Sequence, residues 1–165
     1  MLIVLKNKDT LILDDFYLKC VVGKNGIKSQ KREGDNSTPS GVFSLSKLYY
    51  RPDRVEKPPT KIQTKIITKK MGWCDDPKSK YYNKLIKIKK SLKINYETLY
   101  RKDNKYDIFI LIKYNFKKTF KNKGSAIFLH LTKNYLPTKG CIAVSKKDFL
   151  ILIKLIHKKT RIKIT

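Results

Sequence analysis

No apolar run in this 165-residue chain approaches the roughly 18 consecutive residues that span a bilayer. Lysine interrupts every such run within a few positions, so no transmembrane segment is expected. The opening Met1-Leu2-Ile3-Val4-Leu5-Lys6 lacks a basic stretch, a long apolar core and a small-residue cleavage site, and no signal peptide is visible. Cysteine is scarce: Cys20, Cys74 and Cys141 are odd in number and widely spaced, which fits neither a disulfide framework nor a zinc ligand set. With two histidines, no closed set of metal ligands is expected and no cofactor is implied. The Gly23-x-x-Gly26 stretch lacks the Gly-Lys-Ser/Thr of a phosphate loop and is followed by no helix, which sets nucleotide binding aside.

Acidic residues are also few. The 13 Asp+Glu face 39 Lys+Arg, for a net charge of +26, and such a surface attracts polyanions. The basic residues are 34 Lys against 5 Arg, and Ala occurs only 2 times, a pattern that resembles AT-rich codon usage more than selection for a binding surface. Specific nucleic-acid recognition favours the planar fork of Arg, so no specific nucleic-acid partner is expected. The 41% hydrophobic content excludes a disordered chain, and the length fits one domain over residues 1–165.

Short β-rich runs at Leu2–Leu5, Thr10–Leu13 and Tyr17–Val22, separated by turn residues, read as a meander. A Gly/Lys/Asn/Ser loop from Gly23 to Gly41 leads to a strand at Val42–Leu45, and Arg51–Lys80, with four prolines, reads as irregular apart from Lys61–Ile67. Further strands are expected at Lys84–Ile88, Tyr106–Tyr114, Ala126–Leu131, Cys141–Val144 and Arg161–Ile164. Ser145, with Asp148 three residues on, caps an expected helix over Lys146–Lys158.

His130 ends one buried strand and Cys141 opens another, eleven positions later. A thiol needs a base or a positive field to become a nucleophile at neutral pH, and an imidazole on a paired strand supplies one. Gly140 lets the backbone turn so that the Gly140 and Cys141 amides can face a developing oxyanion. A core histidine beside a structural cysteine is the alternative reading of the same two positions.

Phe128-Leu129-His130 followed by Pro137-Thr138-Lys139-Gly140-Cys141-Ile142-Ala143-Val144 resembles the signature of the L,D-transpeptidase catalytic-domain (YkuD-like) family. Gly34–Phe43, with Thr38-Pro39-Ser40-Gly41-Val42-Phe43, is similar to its strand entry. Tyr50–Arg54, Gly72–Pro77 and Gly124–Phe128 look like a compact branch of it. The resemblance implies a mostly-β, L,D-transpeptidase-like sandwich with a C-terminal helix packed on the sheet. It implies action on peptidoglycan stem peptides in the periplasm or cell envelope. Cys141 would form a thioester with the stem, expelling its terminal D-residue, and an amine of a neighbouring stem would accept the acyl group. Water as acceptor would make the same dyad an L,D-carboxypeptidase. His130 would serve as base and then acid, with Gly140 in the oxyanion hole and Thr138 and Lys139 shaping it.

The chain departs from the family pattern at Lys139, where His is usual, and at Ala143, where Asn or Arg is usual; the interval from His to Cys is also short. Trp73 is expected in the substrate cleft, and Arg51 and Arg54 as a clamp for a stem carboxylate. Asp75 and Asp76 read as turn-orienting residues, Cys74 as a structural thiol, and His157 as a favourable charge at the helix end. A non-catalytic basic protein that binds nucleic acid or an anionic envelope polymer is the competing function. Oligomeric state is not encoded in these features.

Overall fold

The computed structural model describes residues 1–165. In chain order the strands are β1 (Leu2–Lys6), β2 (Thr10–Leu13), β3 (Phe16–Val21), β4 (Ile27–Lys28), β5 (Thr38–Pro39), β6 (Gly41–Tyr50) and β7 (Thr64–Ile66). There follow β8 (Met71–Cys74), β9 (Leu85–Lys87), β10 (Tyr96–Thr98), β11 (Ile108–Ile112), β12 (Phe128–Leu131) and β13 (Ile142–Val144). Helix α1 (Lys146–Leu155) and β14 (Arg161–Ile164) close the chain.

The main sheet runs β11-β12-β13-β3-β2-β1-β14-β6-β7, and β11 also pairs with β6, so eight strands form a ring. The mostly-β class with its helix near the C-terminus is as expected, but the arrangement is barrel-like where a sandwich was anticipated. Strand β6 explains the closure. Its first half pairs with β14 and its second half with β11, and between Leu45 and Leu48 three steps on β6 oppose two on β11. That extra residue is a bulge, which bends the strand and raises its twist. A sequence reading that ends the strand at Leu45 misses the half that closes the ring.

Period-two alternation sends Ile3, Leu5, Leu11, Leu13, Ile162 and Ile164 into one 25-residue core, joined there by Phe149, Leu152 and Ile153 of α1. The helix is capped as expected, the Asp148 N–H donating to Ser145 Oγ at 3.0 Å, but it stops at Leu155, short of the anticipated Lys158. Strands β11 and β12 are buried on both faces. Ile108, Ile110, Ile112, Leu129 and Leu131 face the ring interior, while Phe109, Leu111 and Phe128 face a second, aromatic cluster outside it. That outer layer is covered by the separate sheet β10-β8-β9. Trp73 of β8 meets Phe128 edge-on at 5.4 Å, and Tyr49 stacks on Phe109 at 4.8 Å; such aromatic pairs contribute about 0.5–1.5 kcal/mol each beyond burial. Gly72 in β8 is required by close approach, since a Cβ there would lie 2.9 Å from the Tyr96 ring.

Candidate active site

Strands β12 and β13 pair in parallel, His130 opposite Ala143 and Leu129 opposite Ile142. This register places position 141 beside Phe128, and the Phe128 N–H donates to Cys141 Sγ at 3.3 Å. Because side chains alternate along a strand, His130 stands next to Phe128 on that same outer face. Both Cys141 and His130 line one cleft of about 940 Å³ between the ring and the small sheet.

Neither group is ionised at rest. Burial pushes the Cys141 thiol up to about 12, with the Glu97 charge adding to the effect, and burial holds the His130 imidazolium down to about 4. The thiol donates to Ala126 O at 3.2 Å, and no hydrogen bond joins Cys141 directly to His130. His130 Nδ1 lies 2.8 Å from Leu131 O. A carbonyl oxygen only accepts, so Nδ1 carries the proton and Nε2 is left as an acceptor, the state a general base requires. Tyr106 packs edge-on against the imidazole at 5.2 Å and gives its hydroxyl to Glu97 at 2.6 Å.

The loop before Cys141 is braced by Thr138. Its Oγ1 donates to Cys141 O at 2.6 Å and accepts from the Gly140 N–H at 3.0 Å. This occupies the Gly140 amide, one of the two donors expected for an oxyanion hole. Gly140 itself has φ +137°, and a Cβ would lie 2.7 Å from Ser37 O, so only glycine fits. Lys139 is exposed on the cleft rim. The cation felt most by the Cys141 thiol is instead Lys31, 3% exposed and paired with Asp35 at 2.7 Å.

Three expected contributors lie elsewhere. Trp73 is 2% exposed, its indole N–H donating to Asn83 Oδ1 at 2.9 Å, so it supports the aromatic layer and does not line the cleft. Arg51 is buried, bidentate to Asp53, bonded to Arg101 O at 2.9 Å and stacked on Tyr100. Arg54 binds Asp107 at 3.0 Å and the carbonyls of Lys102 and Asp103. Both arginines therefore tie down the segment before β11 and leave no fork for a ligand. The arginine on the cleft is Arg101, which sits beside Tyr106 and Glu97.

Asn83 also escaped the sequence reading. Its Oδ1 accepts from Trp73 and from the Ala126 N–H at 3.1 Å, while Nδ2 donates to Tyr114 O at 3.1 Å and Asn115 O at 2.8 Å. It thus fixes Ala126, whose φ of +52° is unusual for a residue with a Cβ, and Ala126 O is the carbonyl that holds the thiol. Nothing in the local Tyr-Tyr-Asn sequence signals this role.

Four buried side-chain polar atoms have no partner, and three of them, Asp75 Oδ1, Ser125 Oγ and Thr132 Oγ1, belong to residues lining the cleft. Native proteins leave few such groups, and three of the four gather around this cleft.

The structure is thus a closed β ring with a cysteine and a histidine brought together at the floor of one polar cleft. The model for the L,D-transpeptidase catalytic domain (YkuD) matches residues 1–164, and the chain belongs to that family. The crystal structure of the helical cell shape determining protein Pgp2 from Campylobacter jejuni is similar in fold, with a TM-score of 0.51 at 17% identity. The match covers 99% of this chain and 46% of Pgp2, so the chain spans less than half of that protein. No curated protein matches the sequence.

Proposed function

We propose that the protein is a peptidoglycan L,D-transpeptidase of the cell envelope, with Cys141 as nucleophile and His130 as general base. The observation that carries this reading is the placement of the two side chains on one face of paired strands inside a single cleft, with Nε2 of the imidazole free to accept. Because thiol and imidazole are both neutral at rest, proton transfer accompanies attack and does not precede it. Sγ bonds to the stem carbonyl carbon as its proton passes to His130, the Cys141 N–H faces the oxyanion, and the proton then goes to the departing amine as the C–N bond breaks. The thioester is resolved by an amine of a second stem, or by water as in a carboxypeptidase. Thr138 holds the loop, while Lys139 favours substrate carboxylates at the rim.

Mass spectrometry of the protein incubated with disaccharide-peptide substrates and with a carbapenem tests this. The expected products are a covalent adduct on Cys141 and a cross-linked dimer, both absent in Cys141→Ala and both retained in Cys20→Ala. Trimmed monomer without dimer would assign water as the acceptor. Labelling that persists in Cys141→Ala, or salt-sensitive polyanion binding without any acyl-enzyme, would overturn the reading in favour of a binding protein.

A further inference from the structure

Outside the cleft, the loop joining β11 to β12 combines exposed aromatic rings with unpaired charge. Of the 7 phenylalanines in the chain, only Phe16, Phe116 and Phe120 are exposed, and two of these stand in this loop, at 38% and 54% exposure. Around them lie 5 lysines from Lys113 to Lys123, with no acidic residue between Asp107 and Asp148. None of these lysines is in an ion pair. Lysine alone would mean little, because it is the commonest cation all along the chain; the phenylalanines set this loop apart.

The loop is braced from within. Asn115 Nδ2 donates to Phe120 O and to Gly124 O, both at 2.9 Å, and its Oδ1 accepts from the Phe120 N–H at 2.8 Å. Tyr114 gives its hydroxyl to Lys123 O and packs edge-on against Phe43 at 5.5 Å. Asn122 O accepts from the Glu33 N–H at 2.9 Å, while the Glu33 carboxylate accepts from Tyr82. The two phenyl rings are thus held in solvent on a preorganised backbone, and little entropy is lost when something covers them.

We propose that this loop docks the protein on an anionic lipid bilayer, with Phe116 and Phe120 entering the boundary between headgroups and acyl chains and the lysines lying over the phosphates. Basic and aromatic side chains together suit that boundary, and each lysine near an anionic surface raises partition about fivefold. Single-stranded nucleic acid would stack its bases on the rings. Here Lys113 Nζ lies 5.9 Å from the Phe116 centroid and Lys118 Nζ 5.3 Å from that of Phe120. Ammonium groups already lie over the ring faces, so base stacking is the poorer fit. The loop ends at Gly124, two residues before Ala126, whose carbonyl holds the Cys141 thiol, so docking sets the cleft close to the membrane surface. None of this depends on the reaction at Cys141.

The test is co-sedimentation of the full chain with vesicles of phosphatidylcholine alone and of phosphatidylcholine with phosphatidylglycerol in equal parts. Binding is expected to the mixed vesicles only, and to weaken as salt rises. Phe116→Ser with Phe120→Ser should lower that partition on the order of tenfold through lost apolar burial. Lys117→Gln, Lys118→Gln and Lys121→Gln together should lower it on the order of a hundredfold. The same change at Lys102, Lys146 and Lys147, beyond the opposite ends of β11 and β13, should cost only a few-fold. All of these positions are exposed, so none of the variants disturbs the core. Equal losses from the two lysine sets would overturn the proposal and leave the charge a property of the whole surface. Unchanged partition without the two phenylalanines would overturn it in favour of plain polyanion attraction. Tighter binding to an oligothymidylate than to the mixed vesicles, lost with the same phenylalanines, would overturn it in favour of a nucleic-acid surface.

Discussion

Replacing Asn83 with alanine should weaken the whole protein, because four hydrogen bonds converge on this one buried side chain. Two of the groups left behind, the Trp73 indole N–H and the Ala126 N–H, are donors buried in the aromatic layer. Each unsatisfied donor costs about 1–3 kcal/mol. Asn83 also sits at φ +57°, where alanine is strained by roughly a further 1 kcal/mol. The expected loss is therefore about 3–7 kcal/mol, which for a chain of this size lowers the melting temperature by on the order of 10 °C or more. Urea unfolding read by Trp73 fluorescence measures the free energy, and calorimetry measures the melting point. Asn83→Gly removes the same contacts but tolerates the backbone angle, so it should retain about 1 kcal/mol relative to Asn83→Ala. A melting point for Asn83→Ala within about 2 °C of the parent, which is under 1 kcal/mol, would refute the view that this side chain fixes Ala126 and the aromatic layer.

Stability should also depend on the protonation of His130. Its imidazolium is held to about 4 against 6.5 for the ordinary group, so between these values the unfolded chain binds the extra proton. Stability is then lost as pH falls through that window, by up to about 3 kcal/mol; Asp75 and Glu97, both pushed up by burial, run the opposite way. Urea titrations from pH 7 to pH 4 should show a shallower loss in His130→Asn, and an unchanged slope would refute the buried neutral imidazole. For Cys141, a thiol pushed to about 12 against 9.0 implies alkylation by iodoacetamide at pH 8 roughly 10³-fold slower than at a free thiol. Peptide mapping after timed alkylation checks this, and a Cys141 rate equal to that of a small-molecule thiol would contradict the burial described.

Strands were legible in the sequence both where a continuous apolar run is buried on both faces, as in β11, β12 and β13, and where alternation serves a single buried face. β1, β2, β3 and β14 lie within a residue or so of their expected bounds because Ile3/Leu5, Leu11/Leu13 and Ile162/Ile164 write period two directly into the chain. β8 and β10 were not legible. Gly72 has no strand propensity and is present because Tyr96 packs where its side chain would be, a fact that exists only after folding. The meeting of His130 and Cys141 in one cleft was legible through the Gly140-Cys141 step and the buried strand before it, since two apolar runs that close in sequence tend to pair. The walls were not, because arginines were judged by scarcity alone. Arg51 and Arg54 carry short-range carboxylates, Asp53 and Asp107, that consume their donors. Lys31 was hidden among 34 lysines, and its distinction is burial, which composition does not register.

The pairing of β1 with β14 has a consequence for how the chain is made. Leu2 lies beside Arg161, 159 positions away, and β14 is the only strand joining β1 to β6. Contacts of such long sequence separation form late, because the loop entropy must be lost before any pairing is gained. During synthesis the meander and the β6–β11 pair can assemble, yet both flanking edges stay open until residues 161–164 emerge. Open strand edges recruit other chains. A nascent chain arrested just before Arg161 would thus present two open strand borders, on β1 and on the first half of β6.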